Sequence, residues 1–390
     1  MDLKAIIEAG IEKYNRKMVG STITPQIGNQ AASRDAIRHF ACGSGDLNPL
    51  WVDEAHGRQS PYGDNIAPPM FLNAVSEGQA IVGLPGLVAT YVGATWEWQR
   101  AIRVDDRFSV GNHLLPLEDK TPAGQPRRLL QSGVISYRNQ RDQVAGTCQW
   151  FILRTEAGLA GGKAKAKDQD RDQAASAPEK PAIAIHSYSE AELVDIYAAL
   201  DAEEVRGATP RWWDQVREGD PLTPVVKGPL GLADMVAFAM GINWHRMELA
   251  HGAKLRHLRQ VPGLSYKDPL TNTPEPIGNS HFYGPATKVL MGSPVAIDIG
   301  FQRLCWLGHL VTNWMGDAGF LRKLDGRIKE FVRFGDTNWV RGKVVRRWVE
   351  DRDHLVELEL WSENQRGQVT MTGSAQVILP APGQTAPARD

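Results

Sequence analysis

Apolar and polar residues alternate with period two over Ser132 to Arg154 and again over His354 to Leu379. Such alternation lines one face of an extended strand with apolar side chains. Each stretch is broken by a polar step, Asn139-Gln140-Arg141-Asp142-Gln143-Val144 in the first and Asn364-Gln365-Arg366-Gly367-Gln368-Val369 in the second. Each therefore predicts a strand–turn–strand hairpin. Upstream, the spacing predicts helices over Ser33 to Ala41 and Leu232 to Met240. Longer apolar runs, Pro69 to Val82 and Phe301 to Met315, predict helices buried on most sides. A buried helix followed by three or four long strands, twice over, predicts an α+β fold.

The doubling extends beyond the hairpins. Val104-Asp105-Asp106 is echoed by Phe334-Gly335-Asp336, and Phe40-Ala41-Cys42-Gly43 by Phe238-Ala239-Met240-Gly241, in the same order. An internal repeat follows. The offset between copies lengthens between Gly241 and Gly300, which places an insertion around 245–280; within it, Val261 to Ser280 reads as a loop punctuated by Pro and Gly. Between the copies, 156–181 is rich in Ala, Lys, Asp and Gln with almost nothing to bury, and reads as a flexible linker. The expected domains are 1–155, the linker, and 182–390.

Length and charge narrow the class. At 390 residues the chain exceeds one ordinary core, in keeping with two units. A formal net charge of −1 with scattered basic residues argues against nucleic acid as a partner. Cys42, Cys148 and Cys305 show no metal-ligand spacing, which points to a reducing compartment and no structural metal. No apolar run is long enough to span a membrane, and the start of the chain reads as a short amphipathic helix, so a cytoplasmic protein is expected. Hydrolase elbows, nucleotide-binding glycine loops and H-E-x-x-H are missing from the sequence.

The segment Gly45-Asp46-Leu47-Asn48-Pro49-Leu50-Trp51 has two readings. Asp and Asn before Pro make a turn and helix cap, the commoner use of such a run. The same Asp46 carboxylate is a candidate acid–base group. Lys254 to Arg259 (KLRHLR), with His245 and Arg246, forms a basic helix face, either solvated or a clamp for phosphates. The twelve tryptophans serve as core or as the wall of a wide apolar pocket.

Gly45 to Asp53, Ile66-Ala67-Pro68-Pro69-Met70-Phe71 and Trp96-Glu97-Trp98 together resemble the MaoC-like acyl-CoA hydratases and dehydratases in their fused double hot-dog form. In the second half the resemblance is carried by Asp298 to Arg303, Trp306-Leu307-Gly308-His309-Leu310, Thr312 to Asp317 and Gly335-Asp336-Thr337. It implies two sheets, each wrapped round a central helix, paired as a pseudo-dimer. It also implies hydration of an enoyl-CoA thioester or dehydration of a 3-hydroxyacyl-CoA, with no metal and no redox cofactor; the tryptophan-walled pocket points to a bulky acyl group.

The family motif reads Gly-Asp-x-Asn-Pro-x-His; Trp51 stands at the His, and Pro68-Pro69 replaces a His-Gly pair at the helix start. Proline has no N–H, so the usual oxyanion donor is lost there. In the second half Gly300 stands at the Gly of that pair, and the offset from Pro69 to Gly300 carries Trp51 to the neighbour of His281. The resemblance thus implies His281 as the imidazole. Asp46 is its carboxylate by motif and Glu248 by location, with Asp268 and Glu275 as further options. Gly300 is expected at the oxyanion, and Asn48, Tyr283 and Arg303 at the substrate. An acyl-CoA ligand, no nucleic acid, no membrane and a homo-oligomer are expected. A hot-dog thioesterase and a catalytically inactive acyl-binding or scaffold subunit remain alternatives.

Overall fold

The two alternating stretches fold as long hairpins with the same turn. The computed structural model describes residues 3–79, 83–156, 185–244, 249–261, 263 and 265–383. Helix α1 (Leu3–Lys17) and strand β1 (Thr22–Ile23) lead into α2 (Arg34–Ser44), α3 (Pro49–Val52), α4 (Glu54–Gln59), β2 (Ile66–Ala67) and α5 (Leu72–Val75). The first half closes with β3 (Leu87–Trp98), β4 (Ile102–Arg103), β5 (Ser109–Leu114), β6 (Glu118–Asp119), β7 (Arg128–Arg138) and β8 (Val144–Glu156). The second begins with α6 (Glu190–Asp201), β9 (Pro221–Lys227), α7 (Leu232–Gly241) and α8 (His251–Gln260). A small pair, β10 (Ser265–Lys267) and β11 (Pro274–Pro276), precedes α9 (Gly284–Met291) and α10 (Gln302–Met315). Strands β12 (Phe320–Ile328), β13 (Asn338–Glu350), β14 (Asp353–Asn364) and β15 (Val369–Ile378) end it.

One antiparallel sheet runs through both halves in the order β1-β5-β7-β8-β3-β12-β15-β14-β13-β9, with β6 on β7. The order is symmetric about the β3–β12 seam. There Ala94 pairs with Gly326 and Glu97 with Lys323, and a 2.8 Å ion pair joins the last two side chains. The repeat is structural at each point where the sequence shows it. In the first hairpin Asn139 Oδ1 accepts from the N–H groups of Arg141 and Gln143, both at 3.0 Å. In the second, Asn364 Oδ1 accepts from Arg366 (3.0 Å) and Gln368 (3.1 Å). Asp106 Oδ2 accepts from Arg103 N at 2.8 Å, and Asp336 Oδ2 from Arg333 N at 3.0 Å.

The third repeat element is where the halves touch through helices. α2 packs on α7, and the contact is reciprocal. A Cβ on Gly43 would lie 2.5 Å from the Ala237 carbonyl oxygen, and one on Gly241 would lie 2.7 Å from that of His39. Only glycine permits that approach.

The central helices differ. α10 is buried along all its length and lies against β9, β12, β13, β14 and β15, as a hot-dog helix should. In the first half the expected helix over Pro69 to Val82, of which 80–82 lie outside the described residues, ends early. A 3-10 turn (Pro69–Phe71) and α5 end at Val75, and Ser76 is extended, with φ −151° and ψ 128°. The chain turns away here, tucking Gly78 where a Cβ would meet the Trp96 ring at 2.6 Å and burying Glu77. Val261 to Ser280, expected as loop, holds the β10–β11 pair and the start of a 3-10 turn at Ile277–His281. Most of the linker (157–181) lies outside the described residues. Among those described, no helix is long and apolar enough to cross a membrane.

Candidate active site

Asp46 follows directly on α2. Gly45 ends that helix in the left-handed region (φ 66°), and the Asp46 N–H donates to the Ala41 carbonyl at 3.0 Å. This bend points the Asp46 carboxylate inward, where the residue is 4% exposed. Asn48 then caps α3, its Oδ1 accepting from Leu50 N at 3.0 Å, and Pro49 opens that helix. One turn on, Trp51 swings its indole back: Nε1–H donates to Asp46 Oδ1 at 3.0 Å. The cap and the carboxylate site are the same few residues.

The second half supplies what faces this carboxylate. His309, on α10, places Nε2 3.8 Å from Asp46 Oδ1. Thr312, three residues along the same helix face, directs its hydroxyl between its own His309 carbonyl (3.1 Å) and Asp46 Oδ2 (3.5 Å). One hydroxyl proton cannot serve both, so Oδ2 is the lightly engaged oxygen. Lys227, at the end of β9, donates to His309 Nδ1 at 2.7 Å and to the carbonyls of Ser44 (3.0 Å) and Gly45 (3.2 Å). A lysine donating to Nδ1 assigns the imidazole proton to Nε2, the nitrogen that faces Asp46.

Burial sets the charges. It pushes the Asp46 carboxyl up to about 6, against the opposing pull of the Trp51 N–H, the Lys227 charge, the Asn48 N–H and the Thr312 hydroxyl. Burial and then Lys227 hold His309 well below the usual imidazole range, so the ring is neutral. Burial also lowers Lys227, with Asp46 opposing. The result is a carboxylate poised to exchange a proton near neutral pH beside a neutral N–H donor.

A cleft partly open to solvent adjoins the pair without reaching the carboxylate. Asn48, Trp51 and Thr312, three partners of Asp46, form one end of it; Leu50, Ile66, Trp98, Ile102, Met315 and Phe320 make an apolar wall. A pocket of that make-up suits an acyl chain.

The other expected site residues lie elsewhere in the fold. His281 ends the 3-10 turn at Ile277–His281, with Nδ1 3.0 Å from the Asp298 carbonyl and its ring edge-on to Trp244, centroids 5.9 Å apart. The direct partners of the Asp46 carboxylate among the described residues are Asn48, Trp51, Thr312 and His309. Gly300 sits just ahead of α10, where a Cβ would meet Ile328 and Tyr91 side chains at 3.0 Å each; its smallness admits protein atoms. Arg303 is 2% exposed, its Nε 2.6 Å from Asp298 Oδ2, and it donates to the carbonyls of Glu330 (2.5 Å) and Thr370 (3.1 Å). That answers where the charge on the central helix goes. Tyr283 precedes α9, its carbonyl accepting from Thr287 N at 2.9 Å. Asp268 caps its own turn, and Glu275 pairs with Lys254 at 2.6 Å. Glu248, His245 and Arg246 lie outside the described residues.

His309 and Lys227 are the residues that reading the sequence did not single out. His309 had a signal: it is an imidazole in the middle of a helix predicted to be buried on most sides, and a polar ring buried there needs a reason. Lys227 had none, since a lysine at a strand end is ordinary.

Comparison with known proteins agrees with this architecture. Residues 17–145 match the model of the FAS1-like dehydratase domain region. Over 165 residues (37% of this chain and 51% of the relative) the chain is 28% identical to a probable enoyl-CoA hydratase alpha subunit from Thermomonospora curvata. Over 79 residues (20% of this chain and 47% of the relative) it is 38% identical to a UPF0336 protein from Thermobifida fusca. The chain thus spans about half the length of these curated relatives. A solved MaoC-like dehydratase shares the fold with a TM-score of 0.62 at 16% identity, over 94% of this chain and 99% of its own. A conserved hypothetical protein from Mycobacterium tuberculosis, described as a double hot-dog, does so with a TM-score of 0.56 at 11% identity, over 94% and 97%. The first half thus matches a dehydratase-region model, and the architecture throughout is that of the double hot-dog proteins.

Proposed function

We propose that this chain catalyses the reversible addition of water to a trans-2-enoyl thioester of coenzyme A, with Asp46 as the proton-transferring group. One observation carries the reading: a buried carboxylate raised to about 6 faces a neutral imidazole N–H across the two halves, beside an apolar cleft. In hydration, Asp46 accepts a proton as the water O–H bond breaks and the C3–O bond forms. The proton then passes from Asp46 to C2, and the carboxylate ends as it began. His309 is too weak a base to store that proton; its Nε2–H donates to the water or to the 3-hydroxyl and orients it. Lys227 keeps that proton on Nε2. Trp51 tunes Asp46 where the family motif has an imidazole. No step here calls on a metal or a redox group.

A second reading has its own observation. Trp51 and Thr312 stand between the cleft and the carboxylate, which suits an acyl-binding subunit that leaves the chemistry to a partner. Purified chain incubated with a panel of trans-2-enoyl-CoA esters separates the two, followed by loss of the conjugated thioester absorbance. Turnover by the chain alone supports hydration. Tight binding without turnover favours the partner-dependent subunit, and release of free thiol favours a thioesterase.

A further inference from the structure

The end of the cleft away from Asp46 is polar in a way that the hydration reading does not use. Asp317 lines it and is 3% exposed. Its position follows from the close of α10: Gly316 breaks the helix with φ 69° and ψ 177°, and the Asp317 N–H donates to the Gly207 carbonyl at 2.9 Å. Asp317 Oδ2 lies 2.6 Å from His56 Nε2, and His56 is fixed by α4, whose first turn is capped by Asp53. Asp317 Oδ1 is buried with no hydrogen-bond partner among the described residues. Buried acceptors are normally satisfied, so an unpaired acceptor on a residue that lines the cleft marks a place for a donor. Tyr62 lines the same region, its hydroxyl pushed up to about 12, chiefly by burial, with Asp317 adding to the rise.

We propose that Asp317, held by His56, forms a subsite for a hydroxyl group carried on the distal part of the acyl chain. Thr312, which bonds Asp46, and Asp317 both line this cleft, so a chain lying in it can meet both. A neutral donor fits better than an amine. The Arg103 guanidinium stands 5.3 Å from the Tyr62 ring centre, so an added cation would meet positive charge. A plain alkyl end fits worst, since it would cover Oδ1 without satisfying it.

The inference rests on the cleft being the acyl site, and its test is kept separate from turnover. Equilibrium binding is measured by calorimetry for two CoA thioesters of equal chain length, one with a terminal hydroxyl and one without. The expected result is a preference for the hydroxylated ester on the order of tenfold or more in the unmodified protein. That preference should vanish in Asp317→Leu and shrink in Asp317→Asn, which keeps the shape should the leucine variant not fold. Equal affinities in the unmodified protein, or a preference that survives in both variants, overturn the subsite. Enoyl-CoA turnover with no hydroxyl preference would leave the hydration reading standing while the subsite fails. A hydroxyl preference without turnover would do the reverse.

Discussion

Replacing Asp46 with Asn should leave the protein more stable at neutral pH and less active. The cause is the buried carboxyl, whose ordinary value of 3.8 is raised to about 6 in the folded protein. An acid raised by folding holds its proton more tightly in the native state than in the unfolded chain. Stability linked to it is fully present below about 4 and is lost as pH climbs through about 6. A rise of roughly two pH units, at about 1.4 kcal/mol for each, gives about 3 kcal/mol lost by pH 8. Asp46→Asn removes this penalty and gives up about 1 kcal/mol of hydrogen bonding to Trp51 and Asn48, for a net gain of about 2 kcal/mol. In a chain of this size that raises Tm by about 2–3 °C. Thermal scans of both proteins from pH 4 to 8 read it directly. The gain should be absent at pH 4 and complete by pH 8. A gain independent of pH, or a variant that loses stability relative to the parent as pH rises, would refute the reasoning.

Three further outcomes follow from named contacts. Trp51→Phe deletes the N–H that favours ionised Asp46, so the acidic limb of the kcat/KM profile should move up from about 6 by roughly one unit or more; a limb that stays or moves to lower pH contradicts this role for Trp51. Arg303→Ala strands the Asp298 carboxylate inside the protein, where burial raises it and Arg303 is the main opposing influence. The loss should be about 3–5 kcal/mol by denaturant titration, and a loss under about 1 kcal/mol would mean that Arg303 is not holding the fold. Gly43→Ala drives a methyl against the Ala237 carbonyl and should cost about 1–3 kcal/mol. Gly83→Ala, with nothing among the described residues within 4 Å of the new carbon, serves as the control, and equal midpoints for the two would undo the close-contact account.

Much of the fold was legible because its signals are local. Period-two alternation and the Asn139 and Asn364 turns act within a few residues, and both hairpins form where the alternation predicts them. The repeat was legible for the same reason, since each copy keeps its own turn bonds. The first central helix stops short of its apolar run: Ser76 to Gln79 carries one helix-ending residue, Gly78, and the fold seats it against the Trp96 ring. The active-site partner shows the harder limit. A linear offset between copies leads from Trp51 to the neighbourhood of His281, but contacts across a pseudo-twofold join unlike positions of the two copies. Asp46 therefore meets an imidazole from the middle of the opposite central helix, a pairing that no offset encodes.

The central claim is that proton transfer belongs to Asp46 and His309 together, across the halves. It is tested most directly by kcat/KM for an enoyl-CoA substrate in two single variants, His309→Ala and His281→Ala, each checked for an unchanged fold by circular dichroism. The predicted result is a loss of about a hundredfold or more for His309→Ala, with His281→Ala close to the unmodified protein. Full activity in His309→Ala, with turnover lost in His281→Ala, would contradict it.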